Sequence, residues 1–340
     1  MEAQGKRKNK FGMRKGLIVG KFMPVHKGHL SLINFALQHC DTLTVLLCYH
    51  PKEPIPGTVR ESWLRQLYLN DPKVCIASFE YDPAVLTETS EPEPSYAKAW
   101  SAQLKKLVPG VDVVFSSEAY GDLFASFMGA EHKLFDAPRS LVPVSASAIR
   151  EKPFAYWSYL PGEVQPYYVK KIALIGSEST GKSTLAERLA QHYKTVYVPE
   201  MAREIIGHTN DCTKQDLLTI AKLQATTIFA KTKIANRVLF CDTELTVTKS
   251  YAAFLFQQEL AVEEWIEKAN QCDLYLFLDT NCPYVQDGTR LDEEEREALS
   301  RSHLLMVKKA LLPYRNISGD WEERFAQACR EIDHFIGHYS

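Results

Sequence analysis

The sequence predicts an α/β protein of two doubly wound parallel-sheet domains. Three observations carry that reading. Short apolar strands alternate with amphipathic helices from Gly16 to the C-terminus, the pattern of a parallel sheet covered on both faces. A strand that runs through a glycine-bearing loop into a helix occurs twice, near 16–39 and near 171–193. The chain has 340 residues, enough for two ordinary cores.

In the first half, Gly16–Gly20 reads as a buried strand, and Leu30–His39 has helical periodicity with Leu30, Ile33 and Leu37 on one face. Thr42–Tyr49 is a second strand. Thr58, with Glu61 three residues on, is the expected N-cap of the helix Val59–Leu69. Val74–Glu80 is a third strand, and the polar Glu88–Pro94 is a loop. Helices are expected at Ser95–Leu107 and Ala119–Phe127, strands at Val111–Phe115 and Lys133–Phe135, and a helix start at Val144–Arg150. The division of domains falls at Pro161-Gly-Glu-Val-Gln-Pro166. The expected layout is a basic terminus 1–15, a first domain 16–160, a linker 161–168 and a second domain 169–340.

The second half repeats the alternation. Strands are expected at 170–175, 195–198, 238–241, 274–278 and 315–317, and helices at 183–193, 200–207, 214–235, 244–258, 291–312 and 320–337.

Composition narrows the function classes. Hydrophobic residues are 45% and charged residues 24%, with a net charge of −2, so nothing draws the chain to nucleic acid or anionic membrane. The first fifteen residues are basic (Lys6, Arg7, Lys8, Lys10, Arg14, Lys15) and read as a solvated terminus. Eight cysteines form no C-x-x-C pair and read as reduced core residues of a cytoplasmic protein. No apolar run is long enough to span a membrane.

Gly176-Ser-Glu-Ser-Thr-Gly-Lys-Ser183 fits the phosphate-binding pattern G-x-x-x-x-G-K-[ST], between a strand and a helix as the motif requires. Gly176 and Gly181 permit the tight turn. The N–H groups of Ser177, Glu178, Ser179, Thr180, Lys182, Ser183 and Thr184 can then converge on phosphate oxygens at a helix N-terminus. Lys182 reaches the β- and γ-phosphates of ATP, and the Ser183 hydroxyl ligates Mg²⁺. Asp242 ends the strand Val238–Asp242 and is the expected second Mg²⁺ ligand.

Glu200 follows the strand ending at Val198, on the same edge of the sheet, and Arg203 follows a helical turn later. Glu200 suits either substrate binding or a first-turn acid favoured by the helix dipole. Arg290, beside Gly288, and Arg296 suit a lid over phosphates or a solvated helix start.

The first loop reads Gly20-Lys-Phe-Met-Pro-Val-His-Lys-Gly-His29. An isolated His-x-x-His could bind metal or simply face solvent. The whole string, with Gly20, Lys21, Phe22, His26, Gly28 and His29, resembles the G-x-F-x-P-x-H-x-G-H signature of the nucleotidylyltransferase superfamily. Val144-Ser-Ala-Ser-Ala-Ile-Arg150 resembles that superfamily's I-S-S-T-x-I-R box, with Ala146 where serine is common, so Ser145, Ser147 and Arg150 carry the expectation. The resemblance implies a Rossmann-like domain. There His26 and His29 hold the α/β-phosphates of ATP, Lys21 the transition-state charge and Arg150 the leaving pyrophosphate. The second half resembles small nucleoside kinases, in which an acid placed like Glu200 binds or deprotonates the acceptor hydroxyl and Arg203 could balance it.

With Ser116-Ser-Glu-Ala-Tyr-Gly121, Asp242-Thr-Glu244 and Val285-Gln-Asp-Gly-Thr-Arg290 added, residues 15 to 335 resemble one family. It is that of the bifunctional nicotinamide-nucleotide adenylyltransferases and ribosylnicotinamide kinases of the NadR type. The resemblance implies that ATP, nicotinamide riboside, nicotinamide mononucleotide (NMN) and NAD are the ligands. Tyr120, Trp100 and Trp157 are candidates to stack on the nicotinamide or adenine ring, although each suits a core position. Some members carry a helix-turn-helix domain that represses transcription. The fifteen or so residues before the first strand are too few for one, so no DNA partner is expected. A homo-oligomer stays open. The competing readings are an adenylyltransferase–kinase pair for another acceptor and a nucleotide-sensing regulator without turnover.

Overall fold

The computed structural model describes residues 12–86, 93–118, 120–206, 211–282 and 292–340. Most of the basic terminus, most of the polar loop before the helix at 94, and Arg290 with its expected lid lie outside the described residues. The chain divides into two compact units, Met1–Val164 and Gln165–Ser340.

The first unit carries β1 (Lys15–Gly20), β2 (Thr42–Tyr49), β3 (Val74–Glu80), β4 (Val113–Ser116) and β5 (Glu131–Leu134). They form a wholly parallel sheet in the order β3-β2-β1-β4-β5. The order reverses beside β1, so the carboxyl ends of β1 and β4 open the crevice in which such sheets bind ligands. Leu17, Val45, Leu47 and Val113 are fully buried, each contributing roughly 1.5–3 kcal/mol by leaving water.

The second unit carries β6 (Lys170–Ile175), β7 (Tyr197–Val198), β8 (Val238–Asp242), β9 (Leu274–Leu278) and β10 (Tyr314–Ile317). These are again all parallel, in the order β10-β9-β6-β8-β7. All five residues of β8 and all five of β9 are buried, as strands covered on both faces require. β6 sits at the centre with Leu174 opposite Asp242, so the end of β8 stands beside the phosphate-binding loop.

Several boundaries differ from expectation. The first helix is Lys27–Leu37, because the His26 side chain caps it, a role usually taken by Ser, Thr, Asp or Asn. Thr58 is not a cap: the helix Gly57–Leu67 starts after Pro56 without a side-chain cap, and Glu61 pairs instead with Arg65 at 2.6 Å. The helix Glu264–Asn270 was not expected; seven residues are too few for a clear period. Cys75 is exposed on β3 rather than in the core, while Cys40, Cys48, Cys212, Cys241 and Cys272 are buried. No helix among the described residues is long and apolar enough to cross a membrane.

Candidate functional site

In the first unit, Gly20 ends β1 and the chain turns through Lys21–His26 into the helix Lys27–Leu37. His26 Nδ1 accepts the Gly28 N–H at 3.1 Å, and His29 Nδ1 accepts the His26 N–H at 3.3 Å. Both rings therefore carry their proton on Nε2 as neutral donors. Burial, then the Arg139 charge, holds His26 down at about 4. Burial, then His26 and Arg139, holds His29 well below the ordinary imidazole value. The two rings lie 3.8 Å apart, with the buried Phe22 ring 5.0 Å from His29. A Cβ on Gly28 would come within 2.9 Å of the His26 ring, so the turn needs glycine.

Lys21 is anchored by residues that the sequence did not single out. Its Nζ lies 3.1 Å from Glu53. Arg60, fully buried, pairs with the same carboxylate and donates to the Lys21 carbonyl at 2.7 Å. Burial raises the Glu53 carboxyl, but hydrogen bonds and charge from Arg60 and Lys21 outweigh it and leave the group below its ordinary value.

Ser145 caps the helix Ala146–Glu151, accepting the Ala148 N–H at 3.1 Å. Arg150 donates to Ser147 Oγ at 3.1 Å and to the Met23 carbonyl at 2.5 Å. That second bond ties the serine–arginine box to the histidine loop across 127 residues of sequence. Tyr120 stands after β4, packed with Trp100 against the cluster that holds Leu17 and Cys48. Trp157 is a core residue, edge-on to Phe154 at 5.8 Å.

In the second unit, the loop Gly176–Ser183 lies between β6 and the helix Lys182–His192. Gly176 has φ +149°, and a Cβ there would stand 2.6 Å from the Leu278 carbonyl; Gly181 has φ +83° against the Trp321 ring. Lys182 is buried, its Nζ donating to the Ser177 carbonyl at 2.9 Å. Thr180 Oγ1 donates to the same carbonyl at 2.8 Å, Ser179 has φ +56°, and Thr184 is exposed in the first turn.

Ser183 Oγ donates to Asp242 Oδ2 at 2.5 Å. Arg203 donates to Ser183 Oγ at 3.3 Å and to Glu200 Oε2 at 3.0 Å. Glu200, Arg203, Ser183 and Asp242, from three separate segments of the chain, thus form one hydrogen-bonded chain at the strand ends. Burial and then the Glu200 charge push the Asp242 carboxyl up, against Lys182, Ser183 and Arg203.

Two buried arginines hold the loop's own backbone. Arg296 Nε donates to the Glu178 carbonyl at 2.9 Å, and Arg324 Nη1 to the Thr180 carbonyl at 3.0 Å. Arg296, at 2% exposure, is therefore a brace of the loop rather than part of a solvated helix start. Arg324 carried no sequence signal; its helix reads as an amphipathic surface helix.

Comparison with known proteins agrees with both halves. Residues 17–152 match the cytidylyltransferase-like family model, and residues 171–324 match the AAA domain model. The chain is 28% identical over 348 residues to the "Trifunctional NAD biosynthesis/regulator protein NadR" of Salmonella typhimurium, covering 95% of this chain and 83% of the relative. The Escherichia coli protein of the same name is 28% identical over 349 residues, with the same coverage. Among solved structures, NadR protein in complex with NAD and AMP-PNP superposes with a TM-score of 0.77 at 20% identity, covering 96% of this chain and 97% of that one. NadR protein in complex with NR gives 0.78 at the same identity and coverage. A cytidylyltransferase-like unit is thus followed by a P-loop unit, and the chain is similar across 95% of its length to relatives named NadR.

Proposed function

We propose that the chain is a bifunctional enzyme of NAD synthesis. The second unit phosphorylates nicotinamide riboside with ATP to give NMN and ADP. The first unit joins NMN to the AMP part of ATP, giving NAD and pyrophosphate. The relatives are named as NAD biosynthesis proteins, and the matched structures hold NAD, AMP-PNP and NR. The single observation that carries the reading is the Glu200–Arg203–Ser183–Asp242 chain beside the P-loop, which supplies an acceptor acid and a metal-binding pair at one edge.

In the first unit the attacking group is the phosphate of NMN, already deprotonated at neutral pH, so no general base is needed. That agrees with histidines held neutral. Their Nε2–H groups donate to phosphate oxygens, and they lose less on leaving water than charged groups would. Lys21 and Arg150 supply the positive charge for the α-phosphorus and the departing pyrophosphate. Gly20, Gly28, Ser145 and Ser147 shape the loop and box that receive ATP.

In the second unit Lys182 follows the transferred phosphoryl group. Glu200 takes the proton of the riboside hydroxyl, and Arg203 holds Glu200 in place. Asp242 Oδ1 has no hydrogen-bond partner among the described residues, which fits Ser183 and Asp242 as the groups that hold Mg²⁺ with the triphosphate. Mg²⁺ would neutralise charge on the β- and γ-oxygens.

The test is incubation of the protein with Mg-ATP and nicotinamide riboside, with products separated over time. NMN with ADP, followed by NAD with pyrophosphate, is the expected result. NMN without NAD would assign the first unit to another acceptor.

A further inference from the structure

We propose that Arg139 is a further phosphate-binding residue of the first unit, held ready by Glu118 and handed to a phosphate of the bound nucleotides. This rests on the adenylyl-transfer reading and adds a residue to that site.

The two residues follow neighbouring strand ends. Glu118 comes after β4 in the string 116–121, and Arg139 lies on the chain that runs from β5 to the serine–arginine box. Arg139 Nη2 stands 3.0 Å from Glu118 Oε1. Each side is built to hold that geometry. Ser116 Oγ donates to the Glu118 carbonyl at 3.0 Å and meets His132 Nε2 at 2.9 Å, while His132 Nδ1 lies 2.7 Å from Asp122. The Asp136 carboxylate accepts the Ser140 and Leu141 N–H groups at 2.8 and 3.0 Å, closing a turn in which Arg139 has φ +54°. A non-glycine residue is costly there, and such positions cluster at ligand clamps.

The turn leads to the histidine loop. Val142, three residues after Arg139, stands 3.9 Å from where a Cβ on Gly28 would be, and three residues span at most about 10 Å. Gly28 lies between His26 and His29, so the histidine loop is within reach of the arginine side chain. Its charge is felt at both rings. It lowers His26 after burial, and His29 after burial and His26.

The site needs that charge. Both histidines are neutral, Lys21 shares the Glu53 carboxylate with Arg60, and Arg150 is bound to the Met23 carbonyl. A triphosphate and the phosphate of an acceptor bring more negative charge than Lys21 and Arg150 offset. The Arg139 and Glu118 side chains are 49% and 47% exposed, and an exposed pair gains little from its attraction. Phosphate oxygens take the guanidinium fork in charge-assisted bonds. The arginine therefore gains more from an arriving phosphate than from its carboxylate.

The test is steady-state adenylyl transfer, with riboside phosphorylation on the same preparation as the control for folding. Arg139→Met should lower kcat/KM about ten- to a hundredfold, mainly through KM. A rise in KM for ATP assigns Arg139 to the triphosphate, and a rise in KM for NMN assigns it to the acceptor phosphate. Arg139→Lys, which keeps the charge but loses the fork, should fall between Arg139→Met and the wild-type protein. Glu118→Gln removes the competing carboxylate and should lower the KM that Arg139→Met raises, by up to about fivefold. If Glu118→Gln instead raises that KM as far as Arg139→Met does, the pair only braces the loop and the inference is overturned. Unchanged KM values in Arg139→Met overturn it too. Absence of NAD formation by the wild-type protein overturns the adenylyl-transfer reading, and the inference with it.

Discussion

Lys21 Nζ stands 3.1 Å from Glu53, and the same carboxylate is held by Arg60, whose guanidinium also donates to the Lys21 carbonyl at 2.7 Å. One buried acid thus fixes both the charge and the backbone of the residue proposed to meet the transition state. Glu53→Gln should leave Arg60 buried without its counter-ion, a loss of about 3–5 kcal/mol. Adenylyl transfer should fall while riboside phosphorylation persists. The folded Glu53 carboxyl lies below its ordinary 4.5, so the pair's contribution is complete above that value and is lost as pH falls through the lower folded one. Calorimetry across the acid range should show this loss in the wild-type protein and its absence in the variant.

The histidine pair sets a different pH behaviour. His26 is held at about 4 against an ordinary 6.5. Between those values the unfolded chain binds more protons than the folded one, so stability rises with pH across that window and levels off above 6.5. kcat/KM for adenylyl transfer should show no break near 6.5. His26→Ala should lower kcat by about 10²–10³-fold, the cost of one donor to developing charge. A break at the ordinary imidazole value would contradict the neutral-donor role.

Arg150 reaches the Met23 carbonyl at 2.5 Å and Ser147 at 3.1 Å. Arg150→Met should therefore both misplace the loop and remove charge from the leaving pyrophosphate. The expected loss in adenylyl transfer is about 10²-fold or more, with kinase activity as the internal control. Ser147→Ala should cost much less, because the Met23 bond remains. Steady-state rates for the two reactions measured on one preparation decide this.

Both loops could be read in sequence because each is a contiguous string with a strand before it and a helix after it. The strands β2 and β9 could be read for a related reason: a parallel strand covered on both faces is a simple apolar run. Their braces could not. Glu53 lies in what reads as a proline-bearing loop. Arg60, Arg296 and Arg324 lie on helices where a charged residue normally faces water. Each is buried only because a carbonyl or carboxylate from a distant segment meets it: Lys21 for Arg60, Glu178 for Arg296, Thr180 and Asp279 for Arg324. Helical period says which face is apolar and nothing about which cation is folded inward. The first helix start was missed for a local reason, since histidine is an uncommon N-cap.

Asp242 sets activity against stability. Its carboxyl is raised by burial and by Glu200, so above the unfolded value of 3.8 the folded state carries an ionisation penalty that grows with pH until the folded value is passed. Asp242→Asn removes that penalty and keeps a side-chain oxygen to accept the Ser183 hydroxyl. At neutral pH without nucleotide, the variant should melt no lower than the wild-type protein. Its riboside kinase rate should fall about 10²–10³-fold, because the proposed Mg²⁺ site would keep only the Ser183 hydroxyl. Adding Mg-ATP should raise the melting temperature of the wild-type protein more than that of the variant. A variant that melts well below wild type would mean that the Ser183–Asp242 bond serves mainly to hold β6 and β8 together rather than to wait for a cation.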